Sequence, residues 1–114
     1  MGTQRKGEGQ DIRGKALRLS ALSEYQSGAI VSRTLIDKKV GTVTVFAFDE
    51  GQGLSEHTAP FDALVQIVEG EAVITISGTP LTATAGEIVT LPANEPHSLR
   101  AVKRFKMLLT MIRA

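Results

Sequence analysis

The hydrophobic and polar positions of the chain take on a period of two from Ala29 onward. In the stretch TVTVFA, for example, Val43, Val45 and Ala47 alternate with their neighbours. Successive side chains of a strand point to opposite faces, so this period predicts β-strands. Strands are predicted at AIVSRTLI (29–36), VGTVTVFAF (40–48), ALVQIV (63–68), AVITIS (72–77), EIVTL (87–91) and FKMLLTMI (105–112).

Glycines and prolines divide these strands. Gly70, Gly78 and Gly86 fall eight residues apart, each where a turn between two strands is expected. Pro92 and Pro96 predict a rigid corner, because proline cannot donate to a sheet ladder. Many short strands at this spacing predict an all-β sandwich or barrel.

The strand at 105–112 is apolar on both faces. We expect one face to line the barrel interior and the other to meet a second sheet or a partner subunit. Met107 and Met111 are predicted to pack at such a sheet or subunit interface. A homodimer is the corresponding expectation.

The segment before Ala29 differs in composition. Residues 1–15 are charged and rich in glycine and predict a flexible leader, followed by a single domain over residues 16–114. One short helical turn is predicted around Ser20 to Gln26. No apolar run approaches 18 residues, and the N-terminus lacks the apolar middle of a secretory signal. We therefore expect a cytoplasmic protein with no membrane partner.

Composition removes several classes of function. The chain of 114 residues has no cysteine, which excludes disulfides and thiolate metal sites. Its net charge is +1, and its basic residues are not interleaved with aromatics, so no nucleic-acid partner is expected. Neither a G-x-S-x-G nucleophile elbow nor a phosphate-binding glycine loop is present. The chemistry that remains centres on two histidines, His57 in the stretch EHTAPFDA and His97 after the proline corner.

Residues 51–101 resemble the two sequence motifs of the cupin superfamily, and in particular small single-domain bacterial cupins. The first family motif is Gly, five residues, His-x-His, three or four residues, Glu, six residues and Gly; the chain has Gly51, His57, Ala59, Ala63 and Gly70. The second is Gly, five residues, Pro-x-Gly, two residues, His, three residues and Asn; the chain has Gly86, Pro92, Asn94, His97 and Ala101. The resemblance implies a double-stranded β-helix, or jelly-roll barrel, that is often dimeric.

The resemblance also implies where a metal would be held. Metal-binding cupins use both histidines and the glutamate of the first motif with the histidine of the second. His57 and His97 match two of these positions, which are expected to face one another across the barrel mouth. Ala59 and Ala63 occupy the other two and cannot coordinate an ion. Asp62 is the nearest substitute ligand in sequence, for a weakly held divalent ion such as Zn, Fe, Mn or Ni.

Three functions remain open on this reasoning. The first is a binding module without catalysis, whose pocket contains His57, His97, Asp62 and Phe61 and takes a small organic molecule. The second is a metal-dependent isomerase or dioxygenase with the two histidines as ligands. The third is a metal-free epimerase or isomerase, in which a histidine supported by Asp62 abstracts a proton next to a carbonyl.

Overall fold

The structure is a computed structural model that describes residues 11–113, and it is built almost entirely of antiparallel strands. A 3-10 helix at Leu19–Ala21 precedes the strands, where the sequence predicts one helical turn slightly later. The strands are β1 (Ile30–Lys38), β2 (Gly41–Phe48), β3 (Gly53–His57), β4 (Phe61–Ile76), β5 (Thr79–Thr84), β6 (Ile88–Leu91), β7 (His97–Arg100) and β8 (Phe105–Arg113). The predicted all-β jelly-roll class is confirmed. Residues 1–10 of the predicted leader lie outside the described residues.

Two sheets share the long strand β4. Sheet A has the order β1-β2-β8-β4-β6, and sheet B has the order β5-β4-β7-β3. The first part of β4 pairs with β8 and β6, and its last part pairs with β5 and β7. The curled sheet encloses the core because one strand passes from one sheet into the other.

Gly70 lies at the point where β4 changes sheets, so its prediction as a turn between two strands is wrong. It has a φ of +80°, which an L side chain rarely adopts. A Cβ at this position would overlap the carbonyl oxygen of Arg104 and lie 2.8 Å from the Cα of Phe105. Glycine allows β4 to bend tightly against β8, and the chain continues without reversing.

Ser77 and Gly78 form the tight turn between β4 and β5. Their φ values are +47° and +83°, and Ile76 pairs with Thr79 across the turn. Positive φ at both central positions is the signature of a two-residue turn that matches the twist of a hairpin. The glycine signal at this position therefore predicts the turn correctly.

The core lies between the two sheets. The largest fully buried side chains are Phe48, Phe105, Ile67, Ile74, Met107 and Val65. The rings of Phe48 and Phe105, a register pair of β2 and β8, stack with centroids 4.5 Å apart. The stacked rings fill one end of the barrel, and the other end is open.

A group of interactions fixes the segment before β1 to the barrel. Tyr25 donates a hydrogen bond of 2.8 Å to Glu69 on β4. The cations of Arg104 and Lys106 lie 4.8 and 4.9 Å from the centre of its ring. Lys106 also donates to the carbonyl of Ser20, at 2.6 Å. These contacts hold the segment against the outer face of sheet A. Within residues 11–113, no helix has the length and apolar character needed to cross a membrane.

Candidate functional site

Strands β3 and β7 bring His57 and His97 together. The two residues are register partners on neighbouring strands, next to an irregularity in β3 between Leu54 and His57. Their ring centroids are 4.5 Å apart, with the ring planes inclined at 71°. The expectation that they face one another across the mouth is therefore wrong, since the rings are in edge-to-face contact on adjacent strands. His97 is buried and His57 is exposed.

The hydrogen bonds of the two rings fix their tautomers. Nδ1 of His57 lies 2.7 Å from the carbonyl oxygen of Ser55, and Nδ1 of His97 lies 3.1 Å from that of Glu95. A carbonyl oxygen can only accept, so Nδ1 is the donor in both bonds. The neutral ring then carries its lone pair on Nε2. Among residues 11–113, neither Nε2 has a hydrogen-bond partner.

The rings lie at the wall of a pocket that enters the open end of the barrel. Its volume is about 430 Å³ including the open mouth. Apart from the two histidines, every described residue that lines it is apolar: Leu54, Ala59, Phe61, Ala63, Val65, Leu91, Leu99, Met107, Leu109 and Met111. The pocket is therefore a mostly apolar cleft with one polar wall, an arrangement common in small-molecule sites.

The structure brings three of the four predicted pocket residues together. His57, His97 and Phe61 line the pocket, whereas Asp62 does not. Asp62 is exposed, and its Oδ1 accepts a hydrogen bond of 3.0 Å from the backbone N–H of Ala93. Alternation along β4 explains this position, because the pocket residues Phe61 and Ala63 flank Asp62 and point the other way.

The donor set does not fit the metal site of the family. Ala59 and Ala63 line the pocket, so the positions of the missing ligands do face its interior. A methyl group cannot coordinate an ion, and Asp62 points away from the site. No group of three or more His, Asp or Glu side chains that could hold an ion occurs among the described residues. Structural and catalytic zinc sites generally use three or four protein ligands.

Support for proton transfer by a histidine is likewise limited. Such a mechanism needs a carboxylate that orients the ring or stabilises its cation. Both Nδ1 atoms bond to backbone carbonyls, and no carboxylate within residues 11–113 is hydrogen-bonded to either ring. Asp62, the predicted support, bonds to the backbone of Ala93.

Sequence reasoning did not place the methionines in the pocket. Met107 and Met111, predicted at a sheet or subunit interface, line its floor together with Leu109. They pair across β8 and β4 with Ile67 and Ala63. The alternation in β8 would have shown that these residues share a face. Identifying that face as the pocket required the register with β4.

The fold and the pocket define a small β-barrel protein with a mostly apolar cleft at its open end. The cupin domain family matches residues 44–112 of the sequence. The chain belongs to the cupin family. No protein of curated function matches it in sequence.

Several solved structures resemble the chain along most of its length. A conserved protein of unknown function from Streptococcus pyogenes is 36% identical, with a TM-score of 0.85 over 89% of each chain. A cupin 2 conserved barrel domain protein from Leptotrichia buccalis is 39% identical, with a TM-score of 0.83; the match covers 85% of this chain and 47% of that one. A cupin superfamily protein from Desulfitobacterium hafniense is 27% identical, with a TM-score of 0.85 over 90% of this chain and 94% of that one.

Proposed function

We propose that this cupin binds a small organic molecule in its barrel pocket without a metal ion. The observation that carries the proposal is the composition of the pocket wall, in which the only polar side chains among the described residues are His57 and His97. The apolar wall would supply the binding energy through burial of ligand surface. The two imidazoles would orient the ligand at the mouth.

The two alanines support the same proposal. Ala59 and Ala63 make the cavity roomier at the positions where metal-binding relatives carry ligands. A pocket that has alanines at two ligand positions and an open apolar cleft suits a binding protein better than a metalloenzyme.

A pocket-filling variant tests the proposal. A set of small aromatic and aliphatic fragments would be screened by saturation-transfer NMR against the wild type, Ala63→Leu and Ala85→Leu. Ala63 lines the pocket, and Ala85 lies in an exposed turn, so the two changes add the same atoms in different places. We expect fragments that bind the wild type to bind Ala85→Leu equally and Ala63→Leu at least about tenfold more weakly. Fragments that bind Ala63→Leu as tightly as the wild type would contradict the proposal.

We also propose that two copies of the chain pair through the outer face of sheet A. Four large apolar side chains on this face are 36–61% exposed, and we call them the outer patch: Ile36, Leu64, Ile88 and Ile112. Leu64, Ile88 and Ile112 lie on three neighbouring strands, and β2 separates them from Ile36. Exposed apolar side chains grouped on one face of a sheet are typical of an interaction site. Strand register places the four on the same side of the sheet, opposite the pocket.

Charges at the edge of the outer patch favour a second copy as the partner. Lys38 and Asp62 belong to one register row that crosses β1, β2, β8 and β4, with Lys38 at one end and Asp62 at the other. A twofold axis parallel to the strands would place the Lys38 end of one copy against the Asp62 end of its partner. In this arrangement Lys38 of one copy would pair with Asp62 of the other, which favours an isologous interface.

A further inference from the structure

The two histidines present the same hydrogen-bonding character to the pocket. In each ring Nδ1 is committed to a backbone carbonyl, Ser55 for His57 and Glu95 for His97. The remaining nitrogen, Nε2, is then an acceptor in both neutral rings. The two rings are in edge-to-face contact with centroids 4.5 Å apart, and neither Nε2 receives a hydrogen bond from another described residue.

The two Nε2 acceptors determine which polar group of a ligand can bind next to the histidines. A hydroxyl or amino group donates to Nε2 and satisfies it. A carboxylate, ether or carbonyl oxygen would meet the imidazole lone pairs with lone pairs of its own, and would lose its hydration without compensation. A site built from acceptors alone therefore favours ligands that carry a donor.

The rest of the pocket selects the body of the ligand. The wall beside the histidines includes Ala63, Val65, Leu91 and Leu109, with the flexible Met107 and Met111. None of these side chains can donate or accept a conventional hydrogen bond with useful strength, so polar groups deep in the pocket would be buried without partners. Methionine side chains adapt their shape and make favourable contacts with aromatic rings.

We infer that the ligand is a small molecule with an apolar, preferably aromatic, body and a terminal hydrogen-bond donor, either a hydroxyl that donates to one imidazole or an amine that can donate to both. The donor stays at the mouth between His57 and His97, and the apolar body enters the barrel. This inference rests on the proposed function and specifies the ligand class of the same site.

The tautomers can be measured directly, without any ligand. Long-range proton–nitrogen correlation spectra of uniformly 15N-labelled protein separate protonated from unprotonated ring nitrogens. At about pH 8.5, where imidazole is ordinarily neutral, we expect Nδ1 to be protonated and Nε2 unprotonated in both histidines. Since the chain has two histidines, His57→Leu assigns the spectrum by elimination. A protonated Nε2 in either ring would overturn the inference.

Ligand selectivity is measured with three probes that share a benzyl or phenyl body. Benzyl alcohol has a donor, benzyl methyl ether has only an acceptor, and benzoate is an anion. In NMR titrations at the same pH we expect benzyl alcohol to bind at least about fivefold more tightly than either of the others, the effect of one hydrogen bond. His57→Leu should reduce this preference, whereas Glu56→Gln, a change at the neighbouring exposed residue, should leave it intact.

The outcomes separate the inference from the proposed function. Equal binding of alcohol and ether, with both lost in Ala63→Leu, would overturn the donor requirement and leave the pocket as a ligand site. Tighter binding of benzoate would likewise overturn it. If none of the three probes bound and the fragment screen also gave no ligand, the proposed function itself would fail, and the inference with it.

Discussion

Asn94 donates a backbone hydrogen bond of 2.8 Å to the carbonyl of Ala59 and thereby joins the corners of the two cupin motifs. Asn94 has a φ of +66°, a conformation that asparagine tolerates better than most residues. Next to it, Asp62 accepts from the N–H of Ala93. Two hydrogen bonds thus hold the corner before His97 against the corner after His57, and they fix the rim of the pocket.

Asp62 therefore has a structural role at the pocket rim. We expect Asp62→Ala to lower the free energy of unfolding by about 1 kcal/mol, because it removes one hydrogen bond between an exposed carboxylate and the backbone. Denaturant unfolding measures this loss. Fragment binding should weaken only slightly, because Asp62 does not contact the pocket. Complete loss of binding in a folded Asp62→Ala protein would assign Asp62 to the site after all.

Metal affinity provides a gain-of-function test of the pocket geometry. After dialysis against a mild chelator, the wild type is expected to retain far less than one equivalent of zinc, because two imidazoles leave most of the coordination shell to water. The double variant Ala59→His/Ala63→Glu places the two missing ligand types on the pocket wall, and we expect it to retain about one equivalent by elemental analysis.

The matched control for this test is Ala59→Leu/Ala63→Gln, which adds side chains of similar size at the same two positions without an imidazole or a carboxylate. Among the described residues that line the pocket, this variant keeps His57 and His97 as the only imidazoles. This variant should retain clearly less zinc than the designed one. Stoichiometric zinc in the wild type that disappears in His57→Ala would contradict the metal-free proposal.

The sequence predicts best those features of the fold that depend on one strand alone. The alternation in β2 and β8 predicted both strands to within one residue at each end, because period two is a local property of the backbone. The sequence does not predict strand β5, because Pro80 and the threonines of this strand weaken the alternation of apolar and polar positions. Within residues 11–113, β5 pairs on one side alone, with β4, and such an edge strand tolerates proline.

Relationships between distant residues were harder to predict. Gly70 carries a clear glycine signal, but a positive φ does not distinguish a chain reversal from a bend within one long strand. The resemblance to cupins placed both histidines at the site, yet their direct contact depends on the register of β3 with β7. The same limit applied to Met107 and Met111, whose face was predictable and whose neighbours were not.

The acid stability of the protein should depend on Asp49. This carboxylate accepts from Arg104 and from the N–H of Gly28, at 2.9 and 2.6 Å. These bonds lower the pKa of Asp49 from its usual 3.8 to about 2. Because the folded state has the lower pKa, the carboxylate stabilises the fold above about pH 4, and this contribution disappears as the pH falls to about 2.

Comparison with Asp49→Asn isolates this effect. The wild type should be the more stable protein at about pH 6, and the difference in unfolding free energy should shrink steadily between about pH 4 and pH 2. Urea unfolding of both proteins at several pH values measures this difference. The other acidic groups titrate alike in both proteins, so their contributions cancel. The carboxylate of Glu87, whose pKa is lowered by hydrogen bonds from Thr84, provides a second case through Glu87→Gln, in which the stability difference should likewise shrink as the pH falls below its usual pKa of 4.5. A difference for Asp49→Asn that does not vary with pH would contradict the assignment.

The final prediction concerns self-association through the outer patch. Ile112 is 59% exposed, belongs to the outer patch and lies in the register row that joins Lys38 to Asp62, so it would lie within the proposed interface. In Ile112→Glu each copy would bring an unpaired charge into that interface, and we expect dimer affinity to fall by about 100-fold or more. Sedimentation velocity over a range of concentrations measures the change.

Val102→Glu is the control for this prediction. Val102 is 45% exposed in the loop between β7 and β8, away from the outer patch, so the same charge should leave the dimer intact. Dissociation by both variants would mean that added negative charge, rather than the patch, governs association. A wild type that remains monomeric at high concentration would refute the dimer. A dimer that tolerates Ile112→Glu would place the interface on another face of the barrel. The pocket residues of β4 and β8 lie on the face of sheet A opposite the outer patch, so ligand affinity should be the same in the dimeric wild type and in monomeric Ile112→Glu.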